Sequence, residues 1–137
     1  MERLTTVGAR AFVATGFQQR ADGAALMRQL ESRGIVITCD WTTPEAQAPP
    51  AKDKAARDKA AIRAADVVIA LMTLKQYAYR GTNFELGYAE AQDKPIIMIS
   101  PFKKSDDADC ARNVYFWNDA YTRFDSVDAF LAALHPV

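Results

Sequence analysis

Apolar runs and amphipathic stretches alternate along this chain, and their order predicts its elements. Ala9 to Thr15 (ARAFVAT) is an apolar run ended by Gly16, a first strand. From Ala21 to Arg33 the positions Ala24, Ala25, Leu26 and Leu30 recur at helical spacing, and Gly34 stops the helix. Ile35 to Trp41 (IVITCDW) carries β-branched residues and reads as strand two, followed by the proline-bearing loop TTPEAQAPP. Lys52 to Ala65 is alanine-rich with alternating charges, a helix with one solvated face. Asp66 to Met72 (DVVIALM) is the third strand, apolar enough to be buried on both faces.

In YRGTNFELGYAEAQDKP, from Tyr79 to Pro95, Thr82 stands three residues before Glu85. That is capping-box spacing, and it predicts a helix starting there with Glu85 in its first turn. Pro95 to Ser100 (PIIMIS) is strand four, with proline at the strand start where no ladder donor is lost. Asn113 to Asp119 fits a strand or a packed turn, Tyr121 to Phe124 a short fifth strand, and Ser126 caps a last helix in VDAFLAAL. Strands alternating with helices imply a parallel sheet covered on both faces, in strand order 2-1-3-4-5. The ligand crevice then lies at the carboxyl ends of strands one and three, where Gly16, Phe17, the segment after Met72, and Glu85 face one another.

Composition narrows the chemistry. The 137 residues suit one domain, and 17 Lys and Arg balance 17 Asp and Glu, leaving no charge excess to attract polymeric nucleic acid or an anionic membrane. No apolar run reaches the roughly 20 residues of a membrane span, and no signal core opens the chain; a cytoplasmic protein is expected. Cys39 and Cys110 read as free thiols. The single histidine, His135, stands near the C-terminus, so triad catalysis would rest on a chain end. One His and two distant Cys supply no zinc spacing, and neither GxxxxGK[ST] nor GxGxxG occurs. Carboxylates remain, with Tyr, Asn, Thr and Arg around them.

Glu85 has two readings. Spacing alone favours a helix cap, by roughly two to one. Yet Gly81 and Gly87 bracket it without bulk, and a helix N-terminus would hold it ionised, a nucleophile of the kind that attacks an anomeric carbon. Asp58 stands four residues before Ile62, the large aliphatic of its helix, and so lies on or beside the sheet-facing side; a plain ion pair with Lys54 or Arg57 explains it equally well. If Asp58 lies near Glu85, repulsion raises one of the two pKa values. Asp66 reads as a turn or cap residue. Trp41, Phe17 and Tyr79 fall near the crevice, where a ring could stack on a flat base or simply pack. Tyr115, Phe116 and Trp117 read as core or interface, and Arg80 could meet a phosphate or carboxylate.

The order FVATGF, RDKAAIRAADVVIAL, RGTNFELGYAEAQDKPIIMISP, FDSVDAFLAAL resembles the nucleoside 2-deoxyribosyltransferase-like family, including its small bacterial and phage members and the deoxynucleoside-monophosphate N-glycosidases. The resemblance runs over nearly the whole chain. It implies a flavodoxin-like, Rossmann-like fold in one domain over 1–137, and cleavage of the bond between a nucleobase and deoxyribose, without a cofactor or metal. It implies Glu85 as nucleophile and Asp58 in proton handling and base contact. The first-strand loop of that family helps form the base pocket, which implicates Gly16 and Phe17; Thr15 and Trp41 join them as substrate-binding candidates, and Tyr79, Gly81 and Asn83 belong to the sugar site under this reading. Asn113 matches a residue that transferases donate across a dimer interface, so a homodimer or larger homo-oligomer is implied.

Base exchange is the implied reaction. The alternatives are hydrolysis of a nucleoside 5′-monophosphate, a TIR-like cleavage of NAD, and a nucleotide-binding domain without turnover. Transferase members often carry an acidic residue six positions before the nucleophile and nucleotide hydrolases a serine, where this chain has Tyr79; the hydrolases' Gly-Arg-rich first loop is here TGFQQR.

Overall fold

The computed structural model describes residues 8–134. Five parallel strands, β1 (Arg10–Thr15), β2 (Val36–Ile37), β3 (Val67–Leu71), β4 (Ile96–Ile99) and β5 (Thr122–Phe124), form one sheet in the order β2-β1-β3-β4-β5. The flavodoxin-like order expected from the sequence is the one observed. Five helices connect or follow the strands: α1 (Arg20–Glu31), α2 (Pro44–Gln47), α3 (Ala51–Ala64), α4 (Arg80–Ala91) and α5 (Val127–Ala133). His135 lies outside the described residues.

The central strands are apolar because both faces are covered: β3 and β4 are buried at every position. Phe12, Leu26, Leu30, Ile62, Ile69, Met98 and Phe130 form one continuous core around them. Asp66 is structural, as expected: its carboxylate accepts from the Arg10 backbone N–H at 2.9 Å and fixes the start of β1 against β3.

Two local expectations change and one open choice closes. Strand two covers two residues rather than Ile35 to Trp41. Beyond Thr38 the Asp40 carboxylate accepts from the Thr42 N–H and hydroxyl, turning the chain, and the Trp41 indole donates to the Val13 carbonyl at 2.8 Å where a backbone ladder would otherwise run. The loop TTPEAQAPP contains α2, started by Thr43, whose hydroxyl accepts from the Ala46 N–H, and by Pro44 at a position where no donor is missed. Asn113 to Asp119 resolves as a packed turn of 3-10 helix over Val114–Trp117.

The capping box does not form. Helix α4 begins at Arg80, and its N-cap is Tyr79, in the left-handed region at φ 53 and without a side-chain cap. Thr82 is already helical, and Glu85 sits in the second turn. The turn is set instead by the buried Tyr79 hydroxyl, which accepts from the N–H groups of Thr73 (3.0 Å) and Leu74 (2.8 Å) and donates to the Gln19 side-chain oxygen. A tertiary anchor of this kind outweighs a local four-residue signal.

Candidate active site

At the carboxyl ends of β1 and β3 the loops part around a cavity of about 390 Å³. Thr15, Gly16 and Phe17 follow β1, Trp41 and Gln47 come from the β2–α3 connection, and Tyr77 and Tyr79 come from the loop before α4. Helix α3 contributes Lys54, Ala55, Arg57, Asp58, Lys59 and Ile62; α4 contributes Gly81, Thr82, Phe84 and Glu85. This is the switch point of the strand order, where parallel sheets place their ligands.

Each wall has a local cause. The Thr15 hydroxyl donates to the Leu71 carbonyl at 2.6 Å and fixes the end of β1 to β3. Gly16 leaves room for the Tyr77 ring, since a β-carbon at that position would fall inside it. Tyr77 in turn stands edge-on to Tyr79, with ring centroids 4.6 Å apart. The Phe17 ring is half exposed at the mouth with the Arg20 guanidinium over its face, 4.2 Å from the centroid. Phe84, 63% exposed, stands at the α4 side.

Asp58 and Glu85 both line this cavity, from separate helices. Asp58 does pair with Arg57, Nε to Oδ1 at 3.0 Å, but the pair is half-buried at the cavity rather than on an exposed flank. Arg57 is held from its other end by donating to the Ala46 carbonyl of α2. No hydrogen bond or ion pair of this kind reaches Glu85 among the described residues. Burial pushes its carboxyl up to about 8, the Asp58 charge adds to the rise, and Arg57 opposes it. The expectation that the helix N-terminus would keep Glu85 ionised is therefore corrected: a second-turn position is too far from the terminal N–H groups for the dipole to offset desolvation. Burial likewise lifts the Tyr79 hydroxyl to about 12, so it acts as a hydrogen-bonding group and not as a base.

The first turn of α4 has polar groups to spare. Its backbone N–H groups lack a side-chain cap, no acidic residue stands in it, and the Thr82 hydroxyl is buried without a partner. Lys54 and Lys59 lie half-buried on the cavity wall.

Of the residues singled out from sequence, Thr15, Gly16, Phe17, Trp41, Asp58, Tyr79, Gly81 and Glu85 meet at the cavity. Asn83 does not line it, and its carboxamide donates to the Ala78 carbonyl at 3.3 Å. Asn113 also stands apart from its own chain's cavity, capping the 3-10 turn by accepting from the Tyr115 N–H at 3.0 Å. Sequence reasoning missed Tyr77, Gln47, Arg57, Lys54, Lys59, Thr82 and Phe84 as cavity residues. For Lys54 and Thr82 the available signal was their spacing of four and three residues from Asp58 and Glu85 on α3 and α4, since such neighbours share a helix face, whereas the others carried no local spacing signal. Among the described residues no group of His, Cys, Asp and Glu could hold a metal ion, and no helix is long and apolar enough to cross a membrane. Cys39 and Cys110 are free.

A model of the family described as nucleoside 2-deoxyribosyltransferase matches residues 9–115. The chain belongs to this family. It is an enzyme acting on nucleosides or nucleotides. Similar solved structures include a CMP N-glycosidase from Clostridium botulinum, BcmB, at 20% identity and TM-score 0.55, covering 90% of this chain and 95% of that one. A 2-deoxyribosyltransferase from Bacillus psychrosaccharolyticus has 17% identity, TM-score 0.63 and 90% coverage of both chains. A 2-deoxyribosyltransferase from Leishmania mexicana has 20% identity and TM-score 0.60, covering 91% of this chain and 93% of that one. At these identities the likeness is one of fold. No curated protein sequence matches the chain.

Proposed function

We propose that this nucleoside 2-deoxyribosyltransferase family member cleaves an N-glycosidic bond by attack of Glu85 on the anomeric carbon, and passes the sugar to a second base. What carries the reading is the convergence of Asp58 and Glu85 on one cavity, which a binding domain without turnover has no use for. The C1′–N bond breaks through an oxocarbenium-like transition state, the Glu85 oxygen takes C1′, and Asp58 delivers a proton to the departing base. Trp41, Phe17 and Tyr77 offer ring faces for the base, and Gly81 lets the sugar approach the start of α4.

The uncapped start of α4 and the free Thr82 hydroxyl favour a second reading of the substrate, a nucleoside 5′-monophosphate whose sugar passes to water. Lys54 and Lys59 add positive charge to the same cavity. A homodimer forms part of the proposal: Asn113 is remote from its own cavity, and Val114 and Tyr115 beside it are 75% and 73% exposed.

The test is incubation with deoxynucleosides, their 5′-monophosphates and NAD, with and without an acceptor base, scoring free base and exchanged nucleoside. Exchange only with the acceptor supports transfer, release without it supports hydrolysis, and NAD cleavage alone rejects both. Full base release by Glu85→Ala rejects the nucleophile.

A further inference from the structure

Two departures from the family pattern, the TGFQQR loop after β1 and the tyrosine at position 79, meet in one hydrogen bond. Gln19 closes the 3-10 turn Phe17–Gln19, is 2% exposed, and stands behind the residues that line the cavity. Its carboxamide has one orientation that satisfies its neighbours. Nε2 donates to the Thr73 hydroxyl at 2.6 Å and to the Asp22 carboxylate at 3.3 Å, and a carboxylate only accepts, so Oε1 is the atom that takes the Tyr79 hydroxyl proton. The Thr15 hydroxyl lies 3.4 Å from the same oxygen, but its single proton goes to the Leu71 carbonyl at 2.6 Å. Gln19 thus ties together the start of α1, the loop after β3 and, through Tyr79, the residue that starts α4.

Resting on the reaction proposed above, we infer that Gln19 is a positioning residue for Glu85: by holding the Tyr79 hydroxyl it fixes where α4 starts, and with it where the Glu85 carboxyl stands in the cavity. Tyr79 caps α4 in the left-handed region at φ 53, a conformation that a residue with a β-carbon keeps only when its surroundings hold it. The Tyr79 carbonyl accepts the Asn83 N–H at 2.8 Å, so α4 is laid directly on this backbone, and Glu85 follows in the next turn. The rings offered to the base are held by other bonds. The Trp41 indole is fixed to the Val13 carbonyl at 2.8 Å, and Arg20 fixes Phe17 by donating to its carbonyl at 3.0 Å while lying over its ring. Loss of the Gln19 carboxamide therefore shifts the nucleophile against a base pocket that stays in place.

Binding and attack then separate. Gln19→Met keeps the length of the side chain and removes the amide, so kcat falls about 100-fold, the loss expected for a misplacement of about 1 Å, while KM stays within about threefold. Tyr79→Phe removes the other end of the same bond, so the double variant is no slower than the slower single one. Gln19→Glu keeps an acceptor for the Tyr79 hydroxyl but sets a carboxylate against Asp22, which lowers kcat. Asp22→Asn gives that carboxylate a donor, so the pair recovers most of the rate, and Asp22→Asn alone leaves it near wild type. A role confined to stability would lower the Tm of these variants and leave kcat, measured well below unfolding, where it was.

The experiment pairs amide NMR spectra of the full chain with the kinetics of base release from 2′-deoxycytidine, 2′-deoxyadenosine and their 5′-monophosphates. In Gln19→Met the amide signals of Thr73 and Leu74, which donate to the Tyr79 hydroxyl, and those of Gly81 to Glu85 shift together, while those of α5 stay. Should Gln19→Met not fold, Gln19→Glu with and without Asp22→Asn makes the same comparison. Unmoved amides at the start of α4, a wild-type kcat in the folded variant, or losses that add in the Gln19 and Tyr79 pair overturn the inference. Release by Glu85→Ala would instead sink the nucleophile reading on which it rests, and would leave the amide shifts as they are.

Discussion

Asp58 and Glu85 reach one cavity from α3 and α4, and among the described residues only Asp58 hydrogen-bonds an arginine. Burial, reinforced by the neighbouring Asp58 charge, makes Glu85 hold a proton and makes it a destabilising group whenever it must ionise in place.

Stability should therefore fall with rising pH. The native Glu85 carboxyl, near 8 against an ordinary 4.5, binds its proton more tightly than the unfolded chain does. Its contribution is fully present below about pH 4.5 and lost as pH rises through 8. After screening by water in the cavity the loss is on the order of 2 kcal/mol. Urea midpoints measured at pH 5 and pH 9 should separate in the wild type and converge in Glu85→Gln, which should also lose base release by a factor of about 10³ or more. A Glu85→Gln protein with the wild-type pH dependence would remove Glu85 as its source.

The fold was legible in the sequence because β-branched runs, glycine stops and charged helix faces all pointed the same way. Asp58 and Glu85 were legible as a pair through their places around the third strand. Tyr79 was read as a sugar-site residue, but its ring lines the cavity while its hydroxyl turns inward to the N–H groups of Thr73 and Leu74. That anchor joins residues from separate loops, which no local spacing reports, and it displaced the capping box for the same reason. Arg57 was noticed only as an ion-pair partner, because its second hold on the Ala46 carbonyl depends on a helix that the proline-bearing loop concealed.

Tyr79→Phe tests that anchor. Removing the hydroxyl leaves two buried N–H donors and the Gln19 oxygen without this partner, a loss of about 1 to 3 kcal/mol. Since the ring remains, base release should persist at reduced kcat. Thermal unfolding of the variant should shift down, and an unchanged Tm would show that the hydroxyl contributes nothing net.

Gly16→Ala places a methyl where the Tyr77 ring stands. The backbone at Gly16 is extended, φ −72, so strain of conformation is not involved and the effect is steric. KM should rise about tenfold as the ring is driven from the cavity wall, by the usual cost of about 1 to 3 kcal/mol for overpacking. Tyr77→Ala in the same chain should relieve the clash, so the double variant should fold better than Gly16→Ala alone, a non-additivity that a thermodynamic cycle measures directly.

Thr82 separates stability from binding. Its hydroxyl is buried at the cavity wall without a hydrogen-bond partner, a position that costs the folded chain about 1 to 3 kcal/mol. Thr82→Val keeps the shape and removes that cost, so the variant should be more stable by about 1 kcal/mol in urea denaturation. If the hydroxyl is kept for a polar group of the sugar or its 5′ substituent, the same variant should bind substrate worse, with KM raised about tenfold and kcat little changed, while Thr82→Ser should keep the wild-type KM. A Thr82→Val protein that gains stability with no change in KM would mean that the unpaired hydroxyl serves no ligand, and the start of α4 would lose its standing as the sugar end of the cavity.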